Sequence, residues 1–169
     1  MTISMYAASV PVFRQMLGSL SAVLAKAETH ATERKIEPDA LVKARLFPDM
    51  LPLYRQVEIA CDFAKGVSAR LAGVDVPVYA AAEAGFAQAQ ERIATTLAFI
   101  DSLAPAQIDG SESRQIVIQP GTPRERAFAG QAYLLGYGLP QFFFHITTAY
   151  ALLRHNGLAI GKKDYMGVY

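Results

Sequence analysis

The chain has 169 residues, enough for one domain with a sizeable hydrophobic core, and we expect residues 1–169 to form a single domain. Hydrophobic residues make up 52% of it and charged residues only 18%, which is typical of a well-buried bundle with part of its surface covered by a partner. The net charge of +1 indicates no surface for nucleic acid or an anionic membrane, and no uncharged run reaches the ~18 residues of a membrane span. A single cysteine, Cys61, excludes an internal disulfide, and the N-terminus does not have the pattern of a signal peptide, so the default expectation is a cytoplasmic protein.

The first helical pattern covers roughly residues 4–29. Either the helix begins near Ser9, with that serine as its cap, or a longer helix is kinked at Pro11, and we favour the kinked form. His30 ends the pattern and is expected in a solvated loop, and residues 36–44 suggest a short connecting helix. The core-facing stripe recurs every three or four residues at Phe13, Leu17, Leu20 and Leu24.

The second long helix follows a turn in which Asp49 is the expected cap. It continues to about Leu71 and is closed by Gly73. Gln56 borders its apolar stripe, and Cys61 is expected nearer the other side, as inert packing and not as a nucleophile. The stripe consists of Leu53, Val57, Ala60, Phe63, Ala64 and Val67.

A third helix is predicted over roughly residues 81–102, with Glu91 and Arg92 facing outward. Its core-facing stripe contains Phe86, Ile93, Leu97 and Ile100. The period then changes, because residues 114–119 alternate and are β-branched and residues 124–128 form a second extended candidate across a Pro-Gly-Thr-Pro loop. Together the two segments predict a small β-hairpin.

The last long helix is predicted to open at Pro140 and to close at Gly157, after a short helical or turn segment at residues 130–138. It is apolar on nearly every side, which is typical of a helix enclosed by its neighbours. Gln141 and His145 are four residues apart, so they share a face. The whole pattern indicates an all-α protein, a four-helix bundle with a small β-hairpin insertion before the last helix. The long link between the first two helices permits a crossover.

Three segments carry a resemblance to a known bacterial family: SMYAASVPVFRQML, RLFPDMLPLYRQVEIACDFAKGVSARLAG and FFFHITTAYALLRHNGLAIGKKDYMG. They resemble the DUF1993 family, whose activity is unassigned and which is similar in fold to the DinB/YfiT superfamily of four-helix bundles. The resemblance runs over nearly the whole chain. It implies a DinB-like bundle, and we expect a homodimer formed through an apolar helix face, since DinB-like relatives commonly pair.

Many DinB-like proteins bind a divalent metal through three histidines, one on the second helix and an HxxxH pair on the last. Several of them act as thiol-dependent transferases. Matching these positions puts the second histidine of the pair at His145, the first at Gln141 and the second-helix ligand near Gln56. A glutamine offers only a neutral amide oxygen, so we expect neither metal nor another cofactor here. The same three residues are the candidates for a ligand pocket, and catalytic residues stay unknown.

Three functions remain open. The first is a metal-free small-molecule-binding or degenerate transferase-like protein with a pocket between helices. The second is a non-enzymatic homodimeric bundle that binds a partner or has a structural role. The third is a divalent-metal-dependent thiol transferase or hydrolase of the DinB-like kind. An open cavity beside His145 would favour the first function, and dense packing of this histidine against Phe142 and Leu152 would favour the second. In the second case His145 is a buried histidine, hydrogen-bonded to Gln141, Gln56 or a backbone carbonyl.

Overall fold

A computed structural model describes residues 3–81 and 83–168 of the protein. These residues form eight α-helices, two β-strands and one π-helical segment. The four long helices are α1 (Val10–Arg34), α3 (Leu53–Ala72), α4 (Phe86–Asp101) and α7 (Leu139–His155). The shorter elements are α2 (Pro38–Val42), α5 (Pro105–Ile108), β1 (Gln115–Ile118), β2 (Arg126–Ala129), α6 (Gly130–Tyr133), the π segment (Leu134–Gly138) and α8 (Lys162–Met166). The predicted fold class, an all-α bundle with a hairpin before the last helix, is confirmed.

The four long helices surround one hydrophobic core. Among the four long helices, α3 packs mainly against α7 and α4, and α1 packs mainly against α4 and α7; α1 also packs against the short helix α8. The first two long helices, α1 and α3, are therefore diagonal to each other, and the link that contains α2 crosses the end of the bundle. This arrangement buries α3 on two sides, which explains why Cys61, expected on its outer side, is enclosed in the core.

Helix α1 begins after Ser9, so the long helix kinked at Pro11 was wrong. Pro11 lies in the first helical turn, where a missing N–H is tolerated. Ser9 does not cap the helix, because its hydroxyl donates backward to the carbonyl of Met5 at 2.7 Å. The helix also continues past its predicted end to Arg34, which places His30 within it and not in a loop. The stripe continues there as alanines, whose small side chains give a weak apolar signal; the last of them are Ala27 and Ala31, both buried.

Asp49 does not cap the second long helix. Helix α3 begins at Leu53, directly after Pro52, and Asp49 is exposed in the turn before it. Proline supplies no N–H, and its φ of −70° already suits the entry to a helix. The predicted end is confirmed, since Gly73 has a φ of +71° and its N–H bonds to the carbonyl of Arg70.

Helix α4 begins at Phe86, later than predicted. Glu91 is exposed as expected, but Arg92 is not. Its side chain is only 10% exposed, and it lies 3.0 Å from the carboxylate of Glu58, a residue of α3 that is also buried. A cation on the face next to the core was misread as solvent-facing because sequence periodicity does not show a partner on another helix.

The last helical stretch begins well before Pro140. Helix α6, the π segment and α7 follow one another without a break, and the N–H of Leu139 reaches back five residues to the carbonyl of Leu134. In a regular α-helix the ring of Pro140 would clash with the carbonyl of Gly136. The wider π turn just before this proline accommodates it, and such turns often occur at functional sites. The predicted end of the helix is confirmed by Gly157, which has a φ of +90°.

The hairpin has the predicted position. Its strands are antiparallel, with Ile116 opposite Phe128 and Ile118 opposite Arg126. Ile116 and Ile118 face inward, as the alternating pattern indicated. In the described residues no helix is long and apolar enough to span a membrane.

Candidate functional site

The structure brings two of the three candidate residues together. Gln56, in the first turns of α3, is 2% exposed, and His145, in the middle of α7, is 8% exposed. Oε1 of Gln56 lies 2.7 Å from Nδ1 of His145. The amide nitrogen of Gln56 donates to the carbonyl of Leu51 at 3.0 Å. Helix α3, the turn before it and α7 are therefore joined by one chain of polar groups.

The hydrogen bonds that link His145, Gln56 and Leu51 determine which nitrogen of His145 carries the proton. Because the carbonyl of Leu51 needs a donor, the NH₂ group of Gln56 faces it and the amide oxygen faces His145. Nδ1 of His145 must then be the protonated nitrogen, and Nε2 carries the lone pair. Burial lowers the pKa of His145, so the neutral ring is favoured. Among the described residues Nε2 has no hydrogen-bond partner.

Aromatic rings surround His145. Phe63 of α3 stacks on it with the ring centroids 6.0 Å apart, and Phe144 meets it edge-on at 5.2 Å. Phe63 also packs against Tyr137 of the π segment at 5.8 Å. Tyr137 in turn stacks on Tyr133, again at 5.8 Å. A continuous row of rings therefore links His145 to the π segment and the hairpin.

Two hollows open along this row of rings. The first, called here the hairpin hollow, has a volume of about 140 Å³ and lies between α3, the hairpin and the π segment. Its lining residues are Asp62, Phe63, Val67, Arg70, Ile118, Gln119, Tyr133 and Tyr137. Gln119 is held at a φ of +50°, a conformation that residues other than glycine rarely adopt and that often accompanies a functional site.

The second hollow, called here the Pro140 hollow, has a volume of about 260 Å³ and lies on the outer side of the π segment. It is lined by Gly136, Tyr137, Pro140, Gln141 and Phe144. Gln141 thus faces this hollow and makes no hydrogen bond to His145 in the described part of the chain. The candidate trio is divided: Gln56 and His145 form a buried pair, and Gln141 is half-buried beside the Pro140 hollow.

Sequence reasoning missed Arg70 and Phe63 as lining residues. Phe63 was assigned to the core stripe, although it is half-buried and lies between the two parts of the site. Arg70 gave no signal, because a lone arginine near the end of a helix is usually solvated. The π segment could have been suspected from Gly136 and Gly138 just before Pro140. A Cβ at Gly138 would lie 2.7 Å from Cγ2 of Val67, so this glycine allows the π segment to pack closely on α3.

The donor set does not fit the three-histidine metal site of DinB-like proteins. His145 is a single imidazole, the oxygen of Gln56 is already engaged with it, and Gln141 faces another hollow. Within residues 3–81 and 83–168, no group of three histidine, cysteine, aspartate or glutamate side chains is placed to hold a metal ion. Cys61 is fully buried, and burial raises the pKa of its thiol to about 12, so it is not an available thiolate ligand or nucleophile.

Two further hollows lie away from His145. One of about 280 Å³ is lined by residues of α4 and of the segment before it, among them Tyr79 and Arg92. The other, of about 640 Å³, lies between α1 and the C-terminal residues, next to the exposed Val168. Neither shares a lining residue with the row of rings. The candidate site is therefore assigned to the row of rings, although these two hollows are larger.

Comparison with known proteins gives a family and a fold. The sequence model described as "Domain of unknown function (DUF1993)" matches residues 5–166. The chain is also similar to the crystal structure of a DinB family member protein from Shewanella denitrificans, with a TM-score of 0.90 and 38% identity, over 97% of this chain and 92% of that one. No curated protein matches it.

Proposed function

As the chain belongs to the DUF1993 family and has a DinB-like fold, we propose that it is a metal-free small-molecule-binding or degenerate transferase-like protein. The ligand occupies the hairpin and Pro140 hollows, with the Gln56–His145 pair holding the rings behind them in place. One observation supports this most: Tyr137 lines both hollows and contacts Phe63, which stacks on His145. His145 itself lines neither hollow, so a ligand at Tyr137 would contact both hollows and be linked to His145 through Phe63.

A library of small metabolites, screened by ligand-observed NMR and native mass spectrometry, tests the proposal. We expect at least one ligand that binds the wild-type protein and is lost in Tyr137→Ala. Tyr150→Ala is the matched control, because Tyr150 lies on the same helical stretch, packs on Tyr165 and lines neither hollow. A ligand bound equally well by both variants, or no ligand at all, would contradict the proposal.

The metal-free part has its own test. Elemental analysis after dialysis without chelator is expected to find no stoichiometric transition metal, since one imidazole among neutral amides is a weak donor set. About one zinc, nickel or iron per chain, lost in His145→Ala, would overturn this part and favour the metal-dependent transferase or hydrolase.

A second candidate function, a homodimeric partner-binding or structural bundle, is favoured by an exposed apolar face. Leu135 of the π segment is 52% exposed and Phe144 of α7 is 56% exposed, and Pro140 lies between them in sequence and is also exposed. Pro140 and Phe144, four residues apart, lie on one side of α7 and line the same hollow, and exposed apolar groups of this kind are typical of an interface between protein chains. We propose that two copies of the chain pair through this face.

Light scattering after gel filtration tests the dimer. The wild-type protein is expected at twice the mass of the chain and Phe144→Glu at a single mass. Val78→Glu is the control, because Val78 is 96% exposed and lies beside α4, which is diagonal to α7 in the bundle. A wild-type mass of one chain at micromolar concentration would contradict the homodimer.

A single domain over residues 1–169 and a cytoplasmic location also remain proposals. The shared core supports the single domain, and the single buried cysteine supports the cytoplasmic location.

A further inference from the structure

Arg70 is a half-buried cation that has no acidic partner among residues 3–81 and 83–168. Its Nη1 donates to the carbonyl of Gly66 at 3.0 Å and approaches the hydroxyl of Tyr133 at 3.3 Å. In the described part of the chain, no carboxylate lies within 4.0 Å of its guanidinium, and Nε and Nη2 have no acceptor. Arg92, similarly shielded, is paired with Glu58. A shielded arginine is normally paired with an anion. Arg70 is therefore available to pair with an anionic group of a ligand.

Tyr133 adds a second unused donor. Its side chain is 1% exposed, and because its oxygen accepts from Arg70, its O–H proton is available to another acceptor. Among the described residues, no acceptor for this proton is present. Arg70 and Tyr133 both line the hairpin hollow, so its polar end presents donors from two side chains to whatever enters.

The remaining carboxylate of the hollow does not fill this role. Oδ1 of Asp62 lies 2.9 Å from Nζ of Lys65, and Arg92 is 3.9 Å away from the same oxygen. The charge of Asp62 is thus offset by Lys65 and Arg92. The positive charge of Arg70 remains uncompensated within the hollow.

The other walls are apolar and largely aromatic. Phe63, Tyr133 and Tyr137 supply rings, and Val67 and Ile118 supply aliphatic surface. A volume of about 140 Å³ is well below the 300–1,000 Å³ typical of sites for drug-sized molecules. The occupant must therefore be small, with a flat apolar body and a compact group that accepts several hydrogen bonds.

We propose that the hairpin hollow binds a small aromatic or unsaturated monocarboxylate, with its carboxylate on Arg70 and Tyr133 and its ring among Phe63 and Tyr137. This rests on the proposed function and names the ligand class of that site. A planar carboxylate matches the paired N–H groups at Nε and Nη2 of a guanidinium, and such charge-assisted bonds are among the strongest in proteins.

Benzoate is the probe, and benzamide is its uncharged counterpart of nearly the same shape. Titration of the wild-type protein, followed by NMR shifts of Ile118 and Tyr133, is expected to show benzoate binding at least about tenfold more tightly than benzamide. Arg70→Met should remove this preference, and Arg70→Lys should keep part of it. Arg34→Met, at the exposed end of α1 and outside the hollow, is the matched control and should bind benzoate as the wild-type protein does.

Equal binding of benzoate and benzamide by the wild-type protein, or unchanged benzoate affinity in Arg70→Met, would overturn the inference. If Arg70→Met fails to fold, the ligand comparison on the wild-type protein and Arg70→Lys still decides it. A neutral ligand that shifts Ile118 and Tyr133 while benzoate does not would refute the carboxylate and leave the proposed function standing. If no compound shifts these residues or those of the Pro140 hollow, the proposed function itself fails.

Discussion

Oε1 of Gln56 accepts a hydrogen bond from Nδ1 of His145 at 2.7 Å, and this contact joins α3 to α7 inside the bundle. Both side chains are buried, so neither can exchange this partner for water without opening the site. A buried donor left without its acceptor costs about 1–3 kcal/mol, and the pair therefore stabilises the fold as well as the position of the rings around it.

The first prediction concerns pH. Because burial lowers the pKa of His145, the unfolded chain takes up a proton near pH 6.5 before the folded protein does. The free energy of unfolding should therefore be highest above about pH 7 and decrease as the pH falls toward 5, by at most about 1.4 kcal/mol per pH unit for one proton.

Urea unfolding at several pH values measures this dependence. His145→Gln should show a flatter profile than the wild-type protein. His155→Gln, at the exposed end of the same helix, is the matched control for the replacement of a histidine by glutamine. Identical slopes for His145→Gln and the wild-type protein would mean that this histidine does not contribute.

The second prediction concerns Gly130, where the chain passes from β2 into α6. A Cβ there would lie 2.0 Å from the backbone oxygen of Ser111, which cannot move as a side chain could. Gly130→Ala should lower the free energy of unfolding by about 3 kcal/mol. Gly136→Ala is the matched control, because a Cβ at Gly136 meets nothing within 4 Å, and it should stay within about 1 kcal/mol of the wild-type protein. Denaturant midpoints that are equal for the two variants would contradict the prediction.

The third prediction contrasts a buried ion pair with an exposed one. Arg92 and Glu58 lie 3.0 Å apart with side chains 10% and 8% exposed, whereas Arg14 and Asp101 lie 2.7 Å apart at 49% and 44%. Arg92→Met leaves the buried carboxylate of Glu58 paired with Arg55, whose side chain is 54% exposed, and should lower the free energy of unfolding by about 2 kcal/mol. Arg14→Met should cost less than about 1 kcal/mol. Chemical denaturation gives both values, and a loss for Arg14→Met as large as that for Arg92→Met would refute the distinction.

The fourth prediction concerns the reactivity of Cys61. Burial raises the pKa of its thiol to about 12, so at pH 8 it has about a thousandfold less thiolate than an ordinary cysteine, and the core also blocks reagents. A thiol reagent such as Ellman's should modify it only after the protein unfolds. Introducing Ala98→Cys on the exposed side of α4 should give one fast-reacting thiol per chain as a positive control. Rapid labelling of the native wild-type protein would show that the core opens readily around α3.

For the candidate site, as for the helix boundaries, local patterns predicted some features and contacts between distant segments decided the others. The spacing of Gln141 and His145 correctly placed them on one helix, but it could not show that Gln56 reaches the imidazole while Gln141 faces the Pro140 hollow. That outcome depends on which way α3 lies against α7, and no local pattern contains this information. Arg70 lines a hollow because the hairpin packs beside it, a contact between segments that are distant in sequence.

By itself, the sequence determined the features that depend on near neighbours in the chain. The apolar stripe of α1, the left-handed stops at Gly73 and Gly157 and the alternating strand β1 all follow from local periodicity and backbone preference. The tertiary structure alone decided the features that depend on contacts between distant segments. The burial of Cys61 and Arg92 follows from the position of α3 between α4 and α7, and the close packing of the π segment on α3 depends on the contact between Gly138 and Val67. The free energy of a buried charge or of a close contact between helices comes from partners on other elements, and only the folded chain brings those partners together.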